Sequence, residues 1–180
     1  MDSAIREYRE AKRLDPTRID VRENLAWDLG GRDRAAGIKE FQELIAIAPD
    51  FALAHAGLAN VFLLNADYKG AEAECQKAIE LDPSSADSFT ILGQALEGEG
   101  RYTEAVAAYL RAKTFAPDED TPRRLLGRTY FEQKMYAQAI EELRIATHLK
   151  PMNPKVTTLL GQALEAKVTW MGPSPNTGKH

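Results

Sequence analysis

The apolar positions of this 180-residue chain recur as a short stripe of three residues at spacings of four and three. In most copies the stripe reads small, large, small. Because residues three and four apart lie on one face of an α-helix, each copy predicts a helix that packs closely against a neighbour. The five copies are Ala4, Tyr8 and Ala11; Gly37, Phe41 and Leu44; Ala71, Cys75 and Ala78; Ala105, Tyr109 and Ala112; and Ala139, Leu143 and Ala146.

Each stripe is followed five residues later by a proline, and these prolines mark a regular period. They lie 33, 34, 34 and 34 residues apart. Proline disfavours helical backbone in the residue before it, so each stripe helix is predicted to end just ahead of its proline. Self-similarity at a period of this length is typical of repeat architectures. The prolines are Pro16, Pro49, Pro83, Pro117 and Pro151.

A further helix is predicted after each proline from a recurring Leu-Gly pair, and turn residues such as Lys69-Gly70 separate it from the next stripe helix. Each repeat is therefore a first helix, a turn and a second helix. In the repeat that ends at Pro49, the leucines of the first helix lie one position out of step with the stripe of the second helix. This offset predicts a one-residue deletion near residues 30–32. The clearest pairs are Leu92-Gly93, Leu126-Gly127 and Leu160-Gly161.

This pattern resembles the tetratricopeptide repeat (TPR) family, whose 34-residue units are helix-turn-helix pairs. The best match runs from Ala86 to Pro117, and the resemblance covers residues 3–168. It implies an all-α fold, a right-handed α-solenoid of antiparallel helix-turn-helix units with about ten helices. The aromatic site of the family's first helix holds Phe89 in one repeat. In other repeats it holds His55, Arg123 or Thr157.

The repeat register predicts how the chain is divided. Residues 1–168 form the TPR array, and 169–180 form a flexible polar tail. Because the array starts and stops in mid-repeat, two hypotheses stay open. Either the chain is a section of a longer array, or two copies complete each other's end helices in a homo-oligomer. Within the array, 1–17 is an unpaired second helix, 18–50, 51–84, 85–118 and 119–152 are complete repeats, and 153–168 is an unpaired first helix.

Composition agrees with closely packed helices and narrows the class of protein. Alanine, the strongest helix former, accounts for 27 of 180 residues. A formal net charge of −4 disfavours nucleic-acid binding. No apolar run approaches the roughly 20 residues of a membrane helix, and no signal-type stretch is seen at the N-terminus. We therefore expect no membrane partner and a cytoplasmic location.

Candidate catalytic chemistry is sparse. Cys75 stands in a stripe and is predicted to be a buried core residue, and His55 is predicted to pack between helices. Neither cysteine nor histidine is paired at a metal-binding spacing. We therefore expect no catalytic residue, no cofactor and no metal, and hence no enzyme activity in this segment. A regulatory or substrate-recruiting segment of a longer enzyme or signalling protein is the alternative to a binding scaffold.

The resemblance implies that first helices line a concave groove that holds a peptide or a segment of a partner protein. Two arginines one helical turn apart, Arg124 and Arg128, suit a ligand carboxylate or phosphate. The amides of Asn60 and Gln94 both donate and accept, which suits a peptide main chain. In the last first helix, Thr158 and Gln162 lie on the same face as Lys155. The predicted groove residues are Trp27, Asn60, Leu63, Leu64, Gln94, Arg124, Arg128, Phe131 and Lys155.

The family also contains a clamp for two carboxylates, which chaperone adaptors use to hold an acidic chaperone tail. That clamp needs lysine, asparagine and arginine at set positions on three successive first helices. Of these positions only Asn60 fits in this sequence. Binding of a chaperone tail in that manner is therefore not expected.

Overall fold

A computed structural model describes residues 3–171, and every regular element in that range is an α-helix. The all-α prediction and the predicted ten helices are confirmed. The helices are α1 (Ser3–Leu14), α2 (Ile19–Gly30), α3 (Arg34–Ile47), α4 (Ala52–Leu64), α5 (Tyr68–Leu81), α6 (Ala86–Gly98), α7 (Tyr102–Phe115), α8 (Asp120–Glu132), α9 (Tyr136–Leu149) and α10 (Pro154–Met171).

The even-numbered helices are the first helices of the repeats, and the odd-numbered ones are the second helices. Each first helix begins three residues after its proline, and each second helix ends two residues before the next one. The last helix, α10, runs to Met171, three residues beyond the predicted boundary at residue 168. The rest of the predicted flexible tail, 172–180, lies outside the described residues.

The chain divides into two compact units, Met1–Ala108 and Tyr109–His180, and the division falls inside α7. In the first unit, consecutive helices from α1 to α6 contact one another, and so do the first helices α2 and α4, and α4 and α6. In the second unit, α8 packs on α9, α9 packs on α10, and α8 contacts α10. Each unit therefore places its first helices side by side.

The predicted stripes form the buried interior of the second helices. From α3 onward the central residue of every stripe is fully buried, as Phe41, Cys75, Tyr109 and Leu143 show. Phe41 belongs to a cluster with Leu44, Leu58 and Val61, in which residues of α3 and α4 meet. The small residues of the stripes allow this close approach, so the buried packing predicted for the stripes is seen in α3, α5, α7 and α9, whereas Ala4, Tyr8 and Ala11 of α1 are only partly buried.

In three of the four complete repeats, the turn between the two helices contains one residue with left-handed backbone. It is the second residue after the first helix: Ala66 after α4, Gly100 after α6 and Lys134 after α8, with φ of 57°, 77° and 61°. All three lie 17 residues before the next proline. Only Gly100 is the residue type that this conformation favours, since a Cβ is crowded there.

The predicted deletion lies at the end of α2, which has 12 residues where α4, α6 and α8 have 13. The shortened helix brings its last residue, Gly30, against Gly37 of α3. A Cβ on Gly37 would touch the Cα of Gly30 and lie 2.6 Å from its N. The equivalent stripe position is alanine in the repeats with a full-length first helix. The deletion therefore explains why this one stripe begins with glycine.

A three-helix junction joins each second helix to both helices of the following repeat. One residue comes from each helix: the second helix supplies the residue four positions before its proline, the following first helix the residue six positions after that proline, and the following second helix the residue nine positions before the next proline. In the first junction, Lys12 and Arg22 both bind the carboxylate of Glu40, at 2.6 and 3.1 Å. Arg22 and Glu40 are each less than a tenth exposed. The Nε of Arg22 also donates to the carbonyl of Pro16.

The same register positions form an ionic junction again in the second compact unit, where it is the fourth along the chain. There Lys113 and Arg123 both bind the carboxylate of Glu142, and the Arg123 distance is 3.1 Å. In the second junction, His55 replaces the arginine. Its Nδ1 lies 2.7 Å from Glu74 and its Nε2 lies 3.0 Å from the carbonyl oxygen of Pro49. The packing role predicted for His55 is thus a hydrogen-bonded one.

The third junction position holds no ions. It has Ile79, Phe89 and Ala108 where the fourth has Lys113, Arg123 and Glu142. Both Phe89 and Ala108 are buried. The residues at this site therefore change together along the chain: arginine and lysine occur with glutamate, and phenylalanine occurs with alanine. The junction accepts a matched set of charges, an apolar set or, in the second junction, a histidine–glutamate pair with Ile45 at the lysine position, because an unmatched buried charge is costly.

Replacing Gly37 by alanine should destabilise the protein by about 2 kcal/mol, although alanine is standard at this position in other repeats. The added methyl meets the backbone of Gly30, which cannot rotate away. Urea unfolding followed by circular dichroism measures the change. The neighbouring Gly31→Ala is the control, because its Cβ would meet nothing closer than the Trp27 carbonyl at 3.9 Å. Equal stability of the two variants would contradict the close approach.

Replacing Lys134 by glycine should stabilise the protein by about 0.5–1 kcal/mol, because it removes a Cβ from left-handed backbone. At the equivalent turn, Gly100→Ala should lower the stability. The added Cβ would have no atom within 4 Å, so the change would reflect only the left-handed backbone conformation. Thermal unfolding of both variants checks the pair. A loss of stability in Lys134→Gly would argue against the left-handed turn.

Replacing Glu142 by alanine should cost about 3 kcal/mol, because Lys113 and Arg123 lose their shared partner. Copying the whole third junction, with Lys113→Ile, Arg123→Phe and Glu142→Ala together, should return stability to within about 1 kcal/mol of the parent. Urea unfolding reports both. The exposed neighbour Glu141→Ala is the control and should change stability by less than about 0.5 kcal/mol. If the triple variant were no more stable than Glu142→Ala, the junctions would not be interchangeable.

Candidate ligand-binding groove

The predicted groove residues lie on first helices and repeat in register. Trp27, Asn60, Gln94 and Arg128 each stand 11 residues after their proline, in α2, α4, α6 and α8. Gln162 of α10 stands at the same position. Since first helices contact one another within each compact unit, the side chains at this position form a row in that unit. The two compact units present different chemistry along their rows.

In the first compact unit the predicted residues are partly committed to packing. The Trp27 ring is 39% exposed and meets the ring of Phe41 edge-on, with centroids 5.4 Å apart and planes at 86°. Leu63 packs against the cluster that contains Cys75. Asn60 and Gln94 are half-buried, and Leu64 is 47% exposed. Of the predicted groove residues on this unit, Trp27 and Leu64 therefore have the most exposed apolar side chains.

In the second compact unit, α8 and α10 enclose a groove of about 500 Å³. This size lies within the range of ligand pockets in proteins. Three of the nine predicted residues, Arg124, Arg128 and Lys155, line it together. The complete lining is Arg124, Arg128, Pro154, Lys155, Thr158, Leu159 and Gln162.

The groove has a cationic rim and an apolar floor. None of the seven lining residues is acidic. Leu159 packs against the hydrophobic cluster of α9 and α10 that contains Leu143 and Val156, so its position is fixed by the core. Thr158 and Gln162 supply a hydroxyl and an amide, and Thr158 is exposed. The site can therefore attract an anionic group while it packs against an apolar one.

A buried polar contact fixes the start of α10 relative to the start of α8. The Nδ2 of Asn153 donates to Asp120 at 2.7 Å, and Asp120 is only 4% exposed. The Oδ1 of Asn153 accepts from the backbone N of Lys155 at 3.1 Å. These bonds set where Lys155 enters the groove. Sequence reasoning missed Asn153 and Asp120, because residues 33 apart give no local signal of pairing.

Phe131 is not among the residues that line the groove. It lies nearly one turn beyond Arg128 on α8, and its ring contacts Tyr136 at 5.7 Å between centroids, with the planes at 58°. It also packs against the α9–α10 cluster. Phe131 therefore holds the turn between α8 and α9, and its role as an apolar ligand anchor stays a prediction.

The groups considered for catalysis are held in the fold. Cys75 is fully buried, and burial, with the neighbouring carboxylates of Glu74 and Glu72, raises the pKa of its thiol to about 12. Within residues 3–171 no group of three histidine, cysteine or acidic side chains is arranged to hold a metal ion. In the same range no helix combines the length and apolar character needed to cross a membrane.

A second cavity, of about 300 Å³, lies among α1, α2 and α3. Its lining includes Lys12, Glu40 and Glu43, which belong to the first ionic junction or extend it. The hydrogen bond from Lys12, and a weaker one from Arg22, lower the pKa of the Glu43 carboxyl despite partial burial. The carboxylates of this cavity are therefore matched by cations of the protein itself.

The repeated helix pairs, the buried stripes and the row of first-helix side chains define an α-helical repeat protein of the solenoid class. Two family models, both for tetratricopeptide repeats, match residues 24–86 and 74–107. The part of the chain that these models match, residues 24–107, therefore consists of tetratricopeptide repeats, as the sequence pattern predicted.

Known proteins agree with this assignment. A small glutamine-rich tetratricopeptide repeat-containing protein 2 from Mycosarcoma maydis is 25% identical over 99 residues, which cover 55% of this chain and 28% of that protein. A thermophilic TPR protein of Thermus thermophilus has a similar fold, with a TM-score of 0.78, 15% identity and 89% of each chain covered. YrrB, described as a TPR protein with an unusual peptide-binding site, gives a TM-score of 0.69 at 19% identity, covering 89% of this chain and 83% of YrrB.

Proposed function

We propose that this chain is a protein-interaction module that binds a peptide, or a segment of a partner protein, on its first-helix face. The observation that carries the proposal is the groove between α8 and α10, whose lining belongs to first helices and combines cations, hydrogen-bonding groups and an apolar floor. TPR proteins are in general interaction scaffolds, and the fold shared with YrrB, which has a peptide-binding site, supports the same use here.

Each lining residue has a chemical role in this proposal. Arg124, Arg128 and Lys155 orient polar or charged groups of the ligand, while Leu159 supplies the apolar contact on the floor. Gln162 both donates and accepts, so it can bond an extended main chain.

The first compact unit is proposed to extend the binding surface with different chemistry. The exposed faces of Trp27 and Leu64 serve as apolar contacts for a partner. The half-buried amides of Asn60 and Gln94 stand at the row position of successive repeats and are proposed to bond its main chain.

The proposal treats the chain as a binding module without its own catalysis. Such a module also suits the alternative role, a recruiting or regulatory segment of a longer enzyme or signalling protein. The curated relative is consistent with that alternative, because the matched region spans only 28% of its length. In either setting the contact with the partner is made by the same first-helix surface.

Filling the groove should abolish binding without unfolding the protein. Peptides selected from a random displayed library against the parent chain are titrated by fluorescence anisotropy against Thr158→Trp. Because Thr158 lines the groove and is exposed, the indole should occupy the ligand's space and weaken binding at least about tenfold. Circular dichroism should show unchanged melting.

The matched control is Thr103→Trp, at an exposed position of the second helix α7 that does not line the groove. It should bind as the parent does. Equal affinity of the Thr158→Trp variant and this control would place the ligand elsewhere and overturn the proposed groove. A library that yields no peptide above background would overturn peptide binding itself.

A further inference from the structure

Two cations of the α8–α10 groove, Arg124 and Lys155, differ from the junction cations in having no carboxylate partner among the residues that the structure describes. In the junctions, acidic side chains bind Lys12, Arg22, Lys113 and Arg123. Along residues 3–171 no ion pair involves Arg124 or Lys155. This contrast is sharpest at adjacent residues of α8, because Arg123 faces Glu142 in the junction and Arg124 faces the groove.

Unmatched cations here are notable because the chain as a whole is acidic, with 27 acidic and 23 basic residues. Arg124 and Arg128 also lie four apart on one helix, where like charges repel. Arg128 has an interaction of its own within the protein, so the inference rests on Arg124 and Lys155. A ligand carboxylate beside Arg124 would offset this repulsion.

The apolar floor restricts which anion fits. Pro154 and Leu159 line the groove together with the cations, and Leu159 is fixed on the core cluster. A ligand with charge alone would leave this floor in contact with water. A side chain pair of one acidic and one apolar residue satisfies both surfaces, and about 500 Å³ accommodates only a few residues.

A long polyanion such as a nucleic acid is a poor match. The net charge of −4 opposes it, and the groove offers three cations rather than an extended basic track. A carboxylate suits the planar guanidinium of Arg124, which can bind both oxygens at once, and Lys155 acts as a point charge beside it.

We propose that the α8–α10 groove recognises a short protein segment in which acidic residues alternate with apolar ones. Arg124 and Lys155 bind carboxylates of the segment, and Leu159 receives an apolar side chain between them. This inference rests on the proposed peptide-binding function and names the chemistry of its ligand.

The experiment uses the full chain and three short peptides with blocked ends, in which leucine alternates with glutamate, glutamine or phosphoserine. Binding is followed by chemical-shift changes of the labelled protein at low and high salt, about 50 and 300 mM. The glutamate peptide should bind at least about tenfold more tightly than the glutamine peptide at low salt. Its advantage should shrink at high salt, and shifts should cluster at α8 and α10.

Charge reversal separates a local effect from the effect of total charge. Arg124→Glu with Lys155→Glu should remove the preference for the glutamate peptide. The control, Arg144→Glu with Lys167→Glu, makes the same change in net charge at residues of α9 and α10 that do not line the groove, and should keep the preference. Equal loss in both double variants would overturn a local role of Arg124 and Lys155.

The failures of the two proposals are distinguishable. If the glutamate and glutamine peptides bind equally and both are blocked by Thr158→Trp, the groove binds peptides but the acidic preference is wrong. If Thr158→Trp blocks neither peptide, the groove itself is wrong. Binding of the phosphoserine peptide about tenfold more tightly than the glutamate peptide would overturn carboxylate recognition in favour of a phosphorylated segment.

Discussion

The three-helix junction is the contact on which the stacking of repeats depends. It joins the second helix of one repeat to both helices of the next, so its three side chains must agree with one another. In the first and fourth junctions, Glu40 and Glu142 bind lysine and arginine, and in the second junction Glu74 pairs with a histidine. The third junction position holds apolar residues, among them Phe89. Complementarity is what all four share. A buried charge without a partner costs more free energy than its bond would contribute, which is why each junction glutamate has a lysine, arginine or histidine partner.

The junction also decides which side chains are available for binding. In α8 it takes the guanidinium of Arg123 and thereby fixes the rotation of the helix. Arg124, the next residue, then faces the groove with Lys155 of α10. A stabilising contact and the proposed recognition are thus assigned to neighbouring residues on different sides of one helix. The row position holds a different residue type in each of the four complete repeats without disturbing the junction, so one repeated architecture can present different chemistry along its first helices.

Much of the fold follows from residues close together in sequence. The stripes and prolines located all ten helices, and the broken spacing located the deletion that brings Gly37 against Gly30. The partners in the junctions could not be found in this way. Arg22 and Glu40 are 18 residues apart and resemble ordinary surface charges until the helices pack. In the same way, Phe131 and Leu63 have the spacing of groove residues, yet packing against Tyr136 and the Cys75 cluster takes up part of their surfaces.

The sequence by itself determined the repeat, its helix pairs and the family, because helix periodicity and proline positions act over a few residues. Only the tertiary structure decided which charges are matched and which face a groove. Arg123 and Arg124 are the same residue type at adjacent positions, and a helix turns by about 100° between them. Their environments therefore differ only once α8 has packed against α9 and α10. The Asp120–Asn153 contact was likewise set by packing between distant segments.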